Sequence, residues 1–252
     1  MRRMAGWALM MLAATLPSWP ARAAEDAVRR FYGYAYDMDS GRYAYTEVHA
    51  QRIVDGRWRS GRIDYYAPDG RKLGDKRIEF GADPYVARYR MEMAGGYGSA
   101  IAEDGGVIVA SRTENGRTES GRIDKPATTC ADAGFHVYLR DHFDALLGGQ
   151  TLRFNLVAAA RLQRYRFRAS KVADTQFDGR PAVVIRFEPD SLLRLFAGPV
   201  EMVYEPRERE LVEFRGPSNV VDPGTGKPYA VRVIYPARPP ADAPAALPPL
   251  GA

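Results

Sequence analysis

Residues 54–80 read VDGRWRSGRIDYYAPDGRKLGDKRIEF, and this stretch decides the fold class. Asp55-Gly56 and Asp69-Gly70 are tight-turn dipeptides, each followed by an arginine and flanked by residues of strand character. Asp-Gly supplies the positive φ values that a two-residue hairpin needs. The two turns stand 14 residues apart. That leaves room for one strand of about ten residues and none for a crossover helix. Asn115-Gly116 and Asp178-Gly179 repeat the pattern, again with arginine next, while Asp104-Gly105 and Ser40-Gly41 add two weaker turns. The spacing is that of an antiparallel meander.

Alternation supports it. In TLRFNLV (151–157), Leu152, Phe154 and Leu156 face one way and Arg153 and Asn155 the other. In RYRFR (164–168), Tyr165 and Phe167 alternate with arginines, so a 151–157/163–169 hairpin would set the two apolar rows side by side. Tyr85, Tyr89, Met91 and Met93 share a face opposite Arg88, Arg90 and Glu92, and Val231, Val233 and Tyr235 form a last such row. Period two with charge on one face predicts a sheet with one buried and one wet side.

Helical signal is confined to two places. Over Gly134–Leu147, Phe135, Leu139, Phe143 and Leu146/Leu147 recur at three- and four-residue spacing, and Gly148-Gly149 ends the stripe. A short helix is also expected over Ser191–Phe196, capped by Asp190. The tail 237–252 is rich in Pro and Ala and is expected to be disordered or extended.

The first 23 residues form a charged start (Arg2, Arg3), a 12-residue apolar run (Ala5–Leu16) and a small-x-small site at Ala21-Arg22-Ala23. That pattern is a secretory signal peptide, too short to span a membrane and expected to be cleaved before Ala24. The expected organisation is therefore a signal (1–23), one antiparallel β domain (24–236) and the tail, with a periplasmic location and a mature chain that does not span the membrane. Removal of Arg2, Arg3 and Arg22 takes 36 basic residues to 33 against 31 acidic, so the net charge of +5 becomes +2. A near-neutral mature chain gives no argument for nucleic acid as a partner.

Searches for chemistry return little. No G-x-S-x-G elbow, H-E-x-x-H or P-loop occurs, and Gly95-Gly96-Tyr97-Gly98 reads as a strand connection, not a phosphate cradle. No catalytic, metal or cofactor residue is assigned. His136 and His142, six apart on the expected helix, lie about 120° from each other and are read as helix surface. His49 shares a strand face with Glu47 and Gln51 and is read as exposed or at a cleft mouth. Cys130 has no partner cysteine and is read as a buried or inert thiol in a loop. The stripe Arg161, Arg164, Arg166 and Arg168 is read as a solvated sheet face.

The aromatic load is unusual: 15 Tyr, 10 Phe, 3 Trp and 8 Met, with many Tyr at strand positions. A curved sheet lined by such residues can enclose an apolar ligand. Tyr89, Met91, Met93, Phe154 and Phe167 are the candidate lining residues.

The stretch Leu192–Pro236, LLRLFAGPVEMVYEPRERELVEFRGPSNVVDPGTGKPYAVRVIYP, resembles a pattern in uncharacterised bacterial exported proteins: a short helix, a strand pair, a Gly-x-Ser-Asn loop (here Gly216-Pro217-Ser218-Asn219) and a closing strand. The segment from Tyr45 to Phe80 fits the same pattern, and its layout is similar to the periplasmic lipoprotein-carrier superfamily, in which an incomplete barrel holds acyl chains. Such carriers usually begin with an amphipathic helix, for which residues 25–31 are too short. The resemblance carries no catalytic motif.

The expectation is thus a mainly β protein, a strongly curved antiparallel sheet or half-barrel with one main helix packed against or inside it. It would bind an amphipathic or lipidic ligand in its concave face and would not be an enzyme. The alternative is an envelope protein–protein interaction module with a filled core. A cavity of several hundred Å3 separates the two.

Overall fold

The computed structural model describes residues 26–190, 200–222 and 225–250. The export signal and the short helix expected over Ser191–Phe196 fall outside them. Turn chemistry sets the architecture. Asp55/Gly56 (φ 53° and 69°), Asn115/Gly116 (50° and 75°) and Asp178/Gly179 (49° and 72°) all hold the paired left-handed conformation of a two-residue hairpin. At 104–106 the left-handed pair is Gly105/Gly106, one residue later than the sequence suggests, because two successive glycines meet the turn's demand without a Cβ.

The strands these turns connect are β1 (Ala27–Asp37), β2 (Tyr43–Val54), β3 (Arg57–Tyr66), β4 (Lys72–Glu79), β5 (Arg88–Met93), β6 (Tyr97–Asp104), β7 (Val107–Glu114) and β8 (Arg117–Asp124). A short β9 (Thr129–Ala131) leads into helices α1 (Gly134–Asp141) and α2 (Phe143–Leu147). Then follow β10 (Leu152–Ala158), β11 (Gln163–Phe177), β12 (Arg180–Pro189), β13 (Val200–Glu205), β14 (Glu210–Val221) and β15 (Pro228–Ile234). All belong to one sheet, ordered β8 to β1 and then β15 to β9. The chain runs outward from β1 to one edge, crosses to the other edge at β9 and returns to pair β15 with β1. Among the described residues every strand–strand ladder is antiparallel except β9–β10, whose connection is the α1–α2 crossover that a parallel pair requires.

So many twisted strands cannot stay open. The sheet curls until its ends meet: Ala131 of β9 bridges Val86, and Ile101, Ile108, Ala110 and Ile123 of β6–β8 pack on Val157 and Ala159 beyond the other edge. The chain is thus a mainly β protein, one strongly curved antiparallel sheet with the helices packed inside the curl.

The β10–β11 hairpin has the register expected from alternation, with Phe154 opposite Phe167 and Leu156 opposite Tyr165. Leu139, Phe143 and Leu146 of the helices pack with Phe154, Ile185, Phe187 and Tyr204 in the largest buried cluster. The expected single helix is divided at His142, whose Nδ1 and backbone N–H both hydrogen-bond the Tyr138 carbonyl, at 2.9 and 3.2 Å.

Two sequence expectations are corrected. Gly216–Asn219 is not a loop but part of β14, at an irregularity between Pro217 and Val221 where pairing to β15 shifts. Cys130 lies in a strand, β9, and is fully buried, which raises its thiol pKa. The tail, expected to be disordered or extended, is described to Leu250, forms no helix or strand there, and is tethered to β1. The Tyr32 hydroxyl donates to the Pro248 carbonyl at 2.7 Å, and that of Tyr36 to Asp242 at 2.8 Å.

Candidate functional site

Strand parity decides which side chains face into the curl. On β1 these are Arg29, Phe31, Gly33 and Ala35; on β2, Tyr45, Glu47 and His49; on β3, Ile63 and Tyr65. Opposite them stand α1 and the inner faces of β13 and β14. An open cavity of about 950 Å3 is lined by both walls and also by Arg30, Tyr32 and Tyr34 of the other face of β1 and by Pro239 and Leu250 of the tail, a volume within the range of small-molecule sites. Apolar and aromatic side chains, Phe31, Ile63, Ile78, Met202, Phe214 and Val233 with Tyr45, Tyr65 and Tyr235, make up about half of its lining, and polar groups the rest.

The cavity floor carries charge. Glu47 Oε2 accepts from His49 Nε2 at 2.7 Å and from the Tyr235 hydroxyl at 3.2 Å. The His49 ring lies flat on Phe31, centroids 4.5 Å apart, and meets Tyr235 edge-on. Gly33 makes this grouping possible: a Cβ there would stand 2.7 Å from the Tyr235 ring and 2.8 Å from Glu47 Oε2. Two strands further on, His49 and Lys76 share one cross-strand row through Ile63. The Lys76 ammonium pairs with Asp132, which follows β9 in a left-handed turn conformation, and lies 4.5 Å from the centre of the Tyr89 ring. Among the described residues, the buried side-chain polar atoms without a hydrogen-bond partner are His49 Nδ1 and Asp132 Oδ2. Both residues belong to the wall of this one cavity. Unsatisfied buried polar atoms are costly and concentrate where a protein does something besides fold. Burial, reinforced by the Glu47 carboxylate, pushes the hydroxyls of Tyr45, Tyr65 and Tyr235 well above the usual phenol range, so they stay protonated.

The facing wall corrects the reading of His136. It is not helix surface: Nδ1 is 2.7 Å from the Tyr204 hydroxyl and the ring stacks on Tyr204 at 5.5 Å. Burial, then the nearby Arg140, lowers its pKa from 6.5 to about 3. The folded state therefore favours the neutral ring. Its contribution to stability is complete above pH 6.5 and is lost as pH falls from 6.5 toward 3, at up to about 1.4 kcal/mol per pH unit. Urea midpoints at neutral pH and near pH 5 should fall further for the wild type than for His136→Gln. Equal losses would contradict this placement.

His49 is likewise not exposed: only 6% of its surface is accessible, and it belongs to the floor. The five candidate lining residues lie elsewhere. Phe154 and Phe167 come together under the helices, against Phe187 at 5.6 and 4.3 Å. Met91 is buried on β5, with Tyr89 and Met93 packed on the same cluster. None of the five lines the cavity, although Tyr89 supports Lys76 from behind. The arginine stripe does lie on a solvated face, with Arg164 and Arg166 exposed and Arg168 paired to Glu188. Sequence reading missed Lys76, Asp132 and Tyr235. The available signal was a lysine at an inward position between Gly74 and Ile78 of β4.

Among the described residues, no group of three or more His, Cys, Asp or Glu is placed to hold a metal, and no helix is long and apolar enough to cross a membrane. No family model matches the chain, and no curated protein matches it. Among solved structures it is similar to a beta-barrel-like protein of a domain of unknown function, DUF1849, from Brucella abortus. That alignment covers 84% of this chain and 97% of the other, at 9% identity and a TM-score of 0.49.

Proposed function

We propose that this chain is an exported periplasmic protein that binds an amphipathic or lipidic ligand inside its curled sheet, by binding alone and without catalysis. The observation that carries the reading is the cavity of about 950 Å3, walled by Phe31, Ile63, Phe214 and Val233 and floored by polar groups that are not fully satisfied. A module whose core was filled by its own side chains would keep no such space. The export signal read in residues 1–23 supports a ligand of the cell envelope, where acyl-bearing molecules must cross water between membranes.

Titration with the uncharged dye N-phenylnaphthylamine tests it. The wild type should give saturable one-to-one binding with enhanced emission. Ile63→Trp, which thrusts an indole into the space between His49 and Lys76, should lose most of that binding while retaining a cooperative melt, since overpacking costs about 1–3 kcal/mol. No saturable binding by the wild type, or unchanged binding by a folded Ile63→Trp, favours the protein-interaction alternative.

A further inference from the structure

The two ends of the cavity differ in charged groups. At the floor each carboxylate is already engaged, Glu47 by His49 and Asp132 by Lys76. The more exposed end is lined by Arg29, Arg140, Arg180 and Arg209 with Glu208 and Glu210. Arg29 stacks over Phe31, its guanidinium carbon 4.9 Å from the ring centre, and pairs with Glu210. Arg209 is held by Asp144 at 2.9 Å. Arg140 and Arg180 differ. Arg140 approaches the Glu208 carbonyl at 3.5 Å and no carboxylate, and Arg180 has no hydrogen-bond or ion-pair partner among the described residues. Both are exposed.

We propose that Arg140 and Arg180, assisted by Arg29, form an anion site at the cavity mouth that holds the phosphate or carboxylate head of an amphiphile whose chain lies inside. This rests on the ligand-binding reading above and adds the head group and its orientation. The reasoning is electrostatic. An anion carried to the floor would meet Glu47 and Asp132, whereas one left at the mouth meets unneutralised guanidinium groups with planar, bidentate geometry. Arg29 and Arg140 reach the opening from facing walls, β1 and α1, and a cation brought close to a second cation there gains from an anion between them. Burial, then the field of Arg140, lowers the Arg29 pKa, in keeping with that closeness. The chain enters first, against Phe31, Ile63 and Val233, and the head stays in the water-exposed ring of arginines.

Displacement of the bound dye by decyl phosphate, decanoate and decanol, all below their micellar concentrations, tests the proposal. The three share one chain and differ in the head. Wild type should bind the two anions at least about tenfold more tightly than decanol, and raising salt to about 0.5 M should reduce that ratio. In Arg140→Gln/Arg180→Gln the ratio should fall to near one, and a thermal melt confirms that the variant is folded. Phosphate and carboxylate arms show which head is preferred. Equal wild-type affinity for decanol and the anions overturns the proposal, as does an unchanged ratio in the double variant. Inorganic phosphate competing as well as decyl phosphate overturns the amphiphile assignment. Absence of dye binding in the wild type overturns the cavity reading itself and this inference with it.

Discussion

Phe154→Asp is expected to abolish cooperative folding. Phe154 is 3% exposed and stands under the helices, 5.3 Å from Tyr138 and 5.6 Å from Phe187 between ring centres, with Phe167 as its cross-strand partner. Truncating a buried aromatic side chain costs about 3–5 kcal/mol before any charge is added. A carboxylate at that position would be buried without a cation, which adds several kcal/mol more. The sum approaches the whole stability of an ordinary domain, about 5–15 kcal/mol. Urea unfolding followed by circular dichroism should show a broad, non-cooperative loss for Phe154→Asp. Phe154→Leu, which keeps much of the volume, should give a clean transition at a reduced midpoint. A native-like midpoint for the aspartate variant would mean that this hairpin borders solvent-filled space, as its reading as a ligand-lining pair requires.

The second large effect is expected at Lys76. Its side chain is 6% exposed and that of its partner Asp132 10%, so neither charge has water to fall back on. Removing one member of a buried ion pair typically costs about 3–5 kcal/mol, because the survivor is left uncompensated. Lys76→Met should therefore be strongly destabilised. Lys76→Met/Asp132→Asn should recover most of the loss, since it removes both charges together. Denaturant midpoints for the two single variants and the double variant close the cycle. Additive losses would show that the pair is not coupled in the folded protein.

These two sites show where sequence reading succeeds and stops. The Asp55-Gly56, Asn115-Gly116 and Asp178-Gly179 turns and the 151–157/163–169 hairpin are local, and local chemistry specified them: positive φ at the turn fixes the register, and the register fixes the facing rows. Asp69-Gly70 instead sits in a five-residue connection in which Gly70 alone is left-handed. Phe154 was legible as inward-facing from the hairpin register. What it faces was not, because the helix above it arrives through a parallel crossover and the sheet curls only by the accumulated twist of many strands. The same limit hid the floor of the site. Glu47 and His49 could be placed on one face from their spacing, but Tyr235 reaches Glu47 from 188 residues away and Asp132 reaches Lys76 from 56. Gly33 looks like an ordinary strand residue until the ring and carboxylate that fill its missing side chain are seen. His136 was misplaced because helical spacing gives the angle between two residues and not which angle the sheet covers.

The central claim is that the interior of the sheet holds an amphiphile, and a crystal structure of the protein with decyl phosphate tests it most directly. The account predicts the alkyl chain along Phe31, Ile63 and Val233, with the phosphate at the mouth between Arg140 and Arg180. Alkyl density confined to the outer face of the sheet, with the space between β2 and α1 closed by the protein's own side chains, would contradict it.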